Sequence, residues 1–171
     1  MGQRAWLAVF LGLGTFAACA APQQTENVSP LIGRIYIEAP YDEVWDRFTR
    51  AELFEDWYTV PCIEFGTEPG DRLVWATEER EIYRGRFLWA EKGRGLGWEF
   101  KFVGFDFDEP MTRVDFKIVE NGPTVLIDLR HDVRDAPGTA AIISDVGWTK
   151  PLSRLKTLLE SGQAMPWPQD G

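Results

Sequence analysis

Apolar and polar residues alternate through most of the chain between residues 61 and 133. The alternation is clearest from Leu96 to Phe102, where every second residue is Leu, Trp or Phe. A period of two is typical of strands that bury one face. Turn sequences at Glu68–Asp71, Gly93–Gly95 and Asn121–Gly122 separate successive runs. The pattern therefore predicts about six antiparallel strands joined in a meander.

The segments that flank these strands are mainly helical in pattern. Gly33 to Glu38 alternates and predicts a first strand, which is followed by short helices at Tyr41 to Phe48 and at Ala51 to Trp57. The stretch from Thr139 to Ser161 predicts one long helix, with a kink or break near Gly147 to Pro151 because proline lacks an N–H group. A long helix that covers the apolar face of a curved antiparallel sheet gives an α+β fold.

The N-terminus has the pattern of a signal peptide. Arg4 precedes an apolar run at residues 5–18, which is shorter than the about 20 residues of a membrane-spanning helix. The run ends in FAAC at residues 16–19, which resembles the bacterial lipobox, whose cysteine is lipidated. We therefore expect a lipoprotein of the bacterial cell envelope, anchored to a membrane through Cys19 and facing the periplasm. Cleavage after Ala20, which would release a soluble periplasmic protein, is the alternative.

The length and charge of the chain limit its possible domain organisation and its possible partners. We assign residues 1–19 to the signal peptide, 20–30 to a flexible tether, 31–162 to one domain and 163–171 to a proline-broken tail. The formal net charge of −9 argues against nucleic acid as a partner, because nucleic-acid binders need a basic face. The same charge argues against docking on anionic lipid by electrostatic attraction.

Several motifs, taken in their order, resemble a known superfamily. They are IEAPYDEVWDRFT at residues 37–49, Trp57-Tyr58, PGDRL at 69–73, PTVLIDLRH at 123–131 and GWTKPLSRLKTLLE at 147–160. Over residues 32–161 the chain is similar to the START/Bet v 1-like (SRPBCC) superfamily, and most similar to its activator of Hsp90 ATPase homologue 1-like (AHSA1-type) branch. The resemblance implies a helix-grip fold, in which a curved antiparallel sheet wraps around a long C-terminal helix and two short helices follow the first strand. It also implies an apolar cavity between sheet and helix.

Apolar side chains on strand faces and on the long helix are the candidate pocket residues. Their aromatic members either fill the core or line a pocket for a flat apolar ligand, and both roles stay open. By its spacing, Trp89 is expected on the same inner face as Phe87. The candidates are Trp57, Trp75, Phe87, Trp89, Trp98, Phe100, Phe116, Ile127, Leu129, His131, Ile143 and Gly147.

Few residues in the chain are candidates for catalysis or metal binding. His131 is the only histidine and shares an inward face with Leu129, where a hydrogen-bonded role in the cavity wall is favoured over a role as general base. Cys62 has an acidic neighbour and is expected to be half-buried rather than nucleophilic. The acidic loop at residues 105–110 lacks a calcium-binding pattern, and no Cys/His cluster suits zinc. We therefore expect neither a metal nor a cofactor.

These observations favour a binding protein over an enzyme. We expect an envelope-located protein that holds an apolar or amphipathic small molecule between sheet and helix. Two alternatives remain open, because members of the superfamily differ in function. One is a cyclase- or hydrolase-like enzyme that uses His131, and the other is a protein-interaction or cochaperone-like module with a protein partner.

Overall fold

The structure is a computed structural model that describes residues 29–58 and 60–166, without the side chains of residues 145 and 146. The predicted signal peptide, the lipidation site at Cys19, most of the tether and the end of the tail lie outside the described residues. Within the described ranges, no helix is both long and apolar enough to cross a membrane.

The described chain is built from seven strands, two short helices and two longer C-terminal helices. The strands are β1 (Leu31–Ile37), β2 (Cys62–Phe65), β3 (Arg72–Ala76), β4 (Glu81–Glu91), β5 (Gly95–Phe102), β6 (Thr112–Asn121) and β7 (Thr124–Asp132). The helices are α1 (Tyr41–Thr49), α2 (Ala51–Phe54), α3 (Pro137–Val146) and α4 (Thr149–Ser161). The strands form one antiparallel sheet in the order β1-β7-β6-β5-β4-β3-β2. The predicted α+β helix-grip fold and the meander from β2 to β7 are therefore confirmed.

The sheet separates an apolar inner face from a charged outer face, as the alternation predicts. On β6, Val114, Phe116 and Ile118 are fully buried, while the alternating residues Arg113 and Lys117 are exposed. The helices cover the inner face. Leu152 and Leu155 of α4 are buried in the same core. The region between sheet and helices is therefore where an internal site can form.

The predicted long helix is divided in two. Helix α3 ends at Val146 and α4 begins at Thr149, so the predicted break near Gly147 to Pro151 is confirmed. Pro151 lies in the first turn of α4, where an N–H group has no partner within the helix and its loss is harmless. A Cβ atom on Gly147 would lie 2.3 Å from Cγ2 of Ile143, so only glycine fits the break without a shift of neighbours.

The register of β4 changes in its second half. Phe87 pairs with Trp98 whereas Trp89 pairs with Gly97, so a bulge lies between Phe87 and Trp89. Phe87 is fully buried, but the indole nitrogen of Trp89 donates a hydrogen bond of 2.9 Å to Oδ1 of Asp115 on the outer face. Trp89 therefore lies on the face opposite to the one that its spacing predicts.

Helix α2 is shorter than predicted. The backbone N–H of Tyr58 donates to the carbonyl oxygen of Phe54 at 3.1 Å, and residues after Phe54 form turns instead of a longer helix. The turn places Trp57 in the core, with its ring centroid 5.0 Å from that of Phe54 and 5.0 Å from that of Phe48. The two short helices and the turn after them thereby add aromatic side chains to the core.

Candidate functional site

An apolar cavity of about 270 Å³ lies beneath α3 and the break between α3 and α4. The described residues that line it carry no formal charge, and most of them are aromatic or aliphatic. They are Tyr58, Val60, Ile82, Tyr83, Phe100, Phe102, Phe105, Ile142, Ile143, Gly147 and Trp148. Apolar walls with a few polar groups are typical of small-molecule sites.

Four parts of the chain supply this lining. Strands β4 and β5 form the floor with alternate residues such as Tyr83 and Phe100. The segment after α2 brings in Tyr58, and the loop after β5 brings in Phe105. Helix α3 and the helix break form the roof, because Ile142, Ile143, Gly147 and Trp148 belong to them. The cavity therefore depends on two irregular segments as well as on the sheet.

A carboxylate holds the start of the roof helix. The Oε1 and Oε2 atoms of Glu109 accept hydrogen bonds from the backbone N–H groups of Gly138 at 2.6 Å and Thr139 at 2.8 Å. The Thr139 hydroxyl also donates to Oε2 at 2.8 Å. No side chain of the residue before α3 caps it, so Glu109 supplies this role from a distant loop. The acidic loop thus positions α3.

His131 is completely buried at the centre of a chain of hydrogen bonds. The indole N–H of Trp148 donates to Nδ1 of His131 at 3.1 Å, so Nδ1 must be unprotonated. The proton of the neutral ring therefore sits on Nε2, which lies 2.8 Å from Oγ1 of Thr112. The Thr112 hydroxyl in turn donates to the carbonyl oxygen of Phe100 at 3.1 Å. Both ring nitrogens are engaged within the protein.

The electrostatics agree with this neutral ring. Burial lowers the pKa of His131 to about 4, although the nearby carboxylate of Asp132 acts in the opposite direction. Burial likewise raises the pKa of Tyr58 in the cavity wall to about 12, and hydrogen bonding with Tyr83 partly offsets this shift. At neutral pH the side chains of His131 and Tyr58 are therefore uncharged, and the described residues that line the cavity include no Asp, Glu, Lys or Arg.

A second hollow of about 280 Å³ lies on the other side of Trp148. It is open between β1 and the two C-terminal helices and is lined in part by Leu31, Leu129 and Leu152. Ile143 and Trp148 line both spaces, so these two side chains form the partition between them. The hydrogen bond from Trp148 to His131 holds the partition in place.

A comparison with known protein families identifies the family to which the chain belongs. The family model for activator of Hsp90 ATPase homolog 1-like protein matches residues 38–160. The chain belongs to the AHSA1-like family. The match runs from the residue after β1 to the last turn of α4, so it includes strands β2 to β7 and the roof of the cavity. No curated protein sequence matches the chain.

Solved structures share the AHSA1-like fold at low sequence identity. DynU16, from the dynemicin biosynthetic locus, has a TM-score of 0.67 and 18% identity, over 82% of this chain and 51% of that one. This chain therefore spans about half the length of DynU16. CalU16 from Micromonospora echinospora has a TM-score of 0.61 and 23% identity, over 80% of this chain and 77% of that one. The Aha1 dimer from Colwellia psychrerythraea has a TM-score of 0.65 and 15% identity, over 79% and 98%.

The candidate pocket residues lie in several different parts of the AHSA1-like domain. Phe100, Ile143 and Gly147 line the cavity beneath the helix break, and Leu129 lines the neighbouring hollow. His131 lies beside the cavity wall, with its ring centroid 5.2 Å from that of Phe100. Trp89 lies on the outer face of the sheet. The remaining candidates pack in the buried core and are Trp57, Trp75, Phe87, Trp98, Phe116 and Ile127.

Several lining residues of the AHSA1-like cavity were not among the candidates. Tyr83 lies on the inner face of β4 with Phe87, so its strand spacing was an available signal. Tyr58 and Trp148 lie within the motifs that carry the family resemblance, which was a second signal. Phe105 lies in an irregular loop, where no periodicity indicates which way a side chain points.

Two other candidate roles, a reactive cysteine and a metal site, have no support in the described part of the domain. Burial raises the pKa of the Cys62 thiol to about 12, so it is not a reactive thiolate at neutral pH. Among the described residues, no group of three or more Cys, His, Asp or Glu side chains is arranged to hold a metal ion. Glu109 of the acidic loop instead caps α3.

Proposed function

We propose that this AHSA1-like protein binds an apolar or amphipathic small molecule in the cavity beneath the helix break. The uncharged lining of the cavity carries the proposal, since a space of about 270 Å³ is lined mainly by apolar side chains. The phenols of Tyr58 and Tyr83 are the groups that would orient such a ligand.

The size of the cavity sets the class of ligand. A volume of about 270 Å³ lies just below the roughly 300–1,000 Å³ that is usual for ligand sites. Rotation of Trp148 would join the cavity to the hollow of about 280 Å³ beside it, and the combined space falls within that range. The proposal is therefore a small ligand in the cavity of about 270 Å³, and a longer ligand when Trp148 moves.

The surroundings of His131 favour binding over catalysis. A general base needs a free lone pair near the reacting proton. The lone pair of His131 at neutral pH lies on Nδ1, where it accepts the hydrogen bond from Trp148. The role of a hydrogen-bonded group in the cavity wall therefore suits this ring better than acid-base chemistry.

Native mass spectrometry of the protein, purified from a bacterial host without detergent, tests the proposal. We expect an additional mass that dissociates on denaturation and is absent from the variant Ile142→Trp, whose larger side chain fills the cavity. The matched variant Ile63→Trp, at an exposed position on β2, should retain the additional mass. Retention of the same mass by Ile142→Trp would place the ligand elsewhere and contradict the proposal.

The cell envelope is the proposed place of action. The signal-peptide pattern at residues 1–19 and the lipobox-like FAAC support export and a lipid anchor on Cys19, with a secreted periplasmic protein as the alternative. Metabolic labelling with an alkyne fatty acid tests this directly. We expect label on the wild-type protein and none on Cys19→Ser, which should leave the membrane fraction. Label that persists on Cys19→Ser would contradict anchoring through this residue.

A further inference from the structure

A groove of about 970 Å³ crosses the outer face of the sheet, on the side away from the cavity. We propose that this groove is a second binding site, for an amphipathic anion that carries a phosphate or carboxylate group on an apolar body. The proposal goes beyond the binding of a ligand in the internal cavity and stands without it. It rests on the charges, the aromatic wall and the exposed apolar edge of the groove.

Two cationic side chains that line the groove, Lys117 and Arg130, form no salt bridge with the carboxylates opposite them. Lys117 lies directly opposite Asp128 across the β6–β7 pair, and Asp115 lies opposite Arg130. Both carboxylates are already occupied by other residues, however. Asp128 forms a salt bridge of 2.5 Å with Arg34, and Asp115 forms one of 2.7 Å with Arg113.

Among the described residues, neither Lys117 nor Arg130 forms a salt bridge, and Arg130 interacts with the carboxylates of Asp115 and Asp132 only at longer range. Lys117 and Arg130 are diagonal neighbours on adjacent strands, so their positions on the two strands are roughly 7–8 Å apart. From such positions the long side chains of Lys117 and Arg130 can reach one phosphate or carboxylate group, which can accept hydrogen bonds from both. The formal charge of the chain is −9, so this local excess of positive charge is opposite in sign to the molecule as a whole.

An aromatic wall borders the cations. The bulge in β4 turns Trp89 across β5, and Gly97 leaves room for it, because a Cβ atom there would lie 2.4 Å from Nε1 of Trp89. The guanidinium of Arg94 lies 5.5 Å from the centre of the Trp89 ring, and the hydrogen bond to Asp115 fixes the indole edge. Trp89, with the Arg94 guanidinium over its ring, thus forms a fixed aromatic wall next to the cationic pair.

The other edge of the groove is apolar and exposed. Ile32 on β1 is 71% exposed, although it is a large aliphatic side chain, and it pairs with Arg130 in the β1–β7 register. Val119 on β6 also lines the groove. An anion with an apolar body would bury Ile32 and Val119 while its charged group meets Lys117 and Arg130. The internal cavity lacks such a cationic pair among its described residues, so the two sites select different ligands.

The test is a titration of the ¹⁵N-labelled protein with octyl phosphate, read at the indole N–H signals of Trp89 and Trp148. Trp89 reports the groove and Trp148 reports the internal cavity. We expect a saturable shift of the Trp89 signal with octyl phosphate, a weaker effect of inorganic phosphate, and none with 1-octanol. If the internal cavity binds no ligand, the Trp148 signal does not shift, and the shift of the Trp89 signal with octyl phosphate is still expected.

Two matched variants show whether the cations are responsible. Lys117→Gln with Arg130→Gln should weaken the binding read at Trp89 by roughly tenfold or more, because both charged contacts are lost. Arg72→Gln with Arg84→Gln removes the same charge from exposed positions on β3 and β4 and should change the affinity by less than about twofold. Three results would each overturn the proposal: an unshifted Trp89 signal, an equal response to 1-octanol, and an equal loss in both double variants.

Discussion

The indole N–H of Trp148 donates a hydrogen bond of 3.1 Å to Nδ1 of His131, and this contact ties the helix break to the end of strand β7. Trp148 precedes α4, whereas His131 lies on β7. The contact fixes the tautomer of the ring and the position of the side chain that separates two internal spaces. The stability of the fold and the shape of the cavity therefore depend on the same pair.

The neutral state of His131 should make the stability of the protein dependent on pH. Its pKa falls from about 6.5 in the unfolded chain to about 4 in the folded protein, so the unfolded chain binds more protons between these values. Stability is therefore lost as the pH falls from above 6.5 toward 4. Between pH 7 and pH 5 the loss due to this residue should be about 2 kcal/mol in urea unfolding.

A variant at the same position isolates this contribution. His131 is the only histidine, so the difference in pH dependence between the wild type and His131→Gln reports on this ring alone. We expect the variant to be less stable at pH 7 and to have a flatter profile between pH 7 and pH 5. Parallel profiles for the two proteins would show that His131 is not held neutral.

Removal of the other partner of His131 should destabilise the fold. Thr112→Val preserves the shape of the side chain but leaves the Nε2–H group of the buried ring without an acceptor. We expect a loss of about 1–3 kcal/mol in the free energy of unfolding, measured with urea at pH 7. Thr149→Val, at an exposed position in α4, should change it by less than about 0.5 kcal/mol. Equal effects at the two positions would refute the hydrogen-bonding role of Thr112.

Alanine should be unfavourable at the helix break despite its high helix propensity. A Cβ atom on Gly147 would lie 2.7 Å from the Cα atom of Ile143, so the helix would have to shift. We expect Gly147→Ala to lower the free energy of unfolding by about 1–3 kcal/mol. The control is Gly33→Ala, whose nearest contacts would be at an ordinary 3.8 Å. Thermal unfolding that ranks Gly33→Ala as the less stable variant would contradict this account.

The capping carboxylate should control how often the roof of the cavity opens. Glu109→Ala removes the acceptors for the N–H groups of Gly138 and Thr139 at the start of α3. Hydrogen exchange of the α3 amides should then become roughly tenfold faster, which corresponds to about 1.4 kcal/mol. Asp106→Ala, an exposed position in the same loop, should leave these rates unchanged. If α3 exchanged at the wild-type rate in Glu109→Ala, the cap would have no such role.

Periodicity predicts the strands and the inner face well. On β6 and β7 the buried residues follow strict alternation, so the inward position of His131 is predicted correctly. The helix break is equally predictable, since proline and glycine act through local backbone geometry. These features depend on neighbours in sequence, and a single sequence contains that information.

The cavity lining is less predictable because it depends on irregular and distant segments. The bulge between Phe87 and Trp89 reverses the face of Trp89, and nothing in the spacing of β4 marks that position. The partners of His131 lie 19 and 17 residues away, at Thr112 and Trp148. Phe105 reaches the cavity from a loop. Such contacts arise from tertiary packing, so strand spacing alone does not separate the aromatics that line the cavity, such as Phe100, from those that pack in the core, such as Trp75.

Binding of a neutral apolar probe measures the central claim most directly. N-phenyl-1-naphthylamine becomes fluorescent in apolar surroundings, and its lack of charge suits the uncharged cavity. We predict saturable binding to the wild type and to Ile63→Trp, whose substituted residue is 64% exposed in the wild type. Ile142→Trp, in the cavity roof, should bind the probe roughly tenfold more weakly or not at all. Undiminished binding by a folded Ile142→Trp protein would show that the cavity beneath the helix break is not the ligand site.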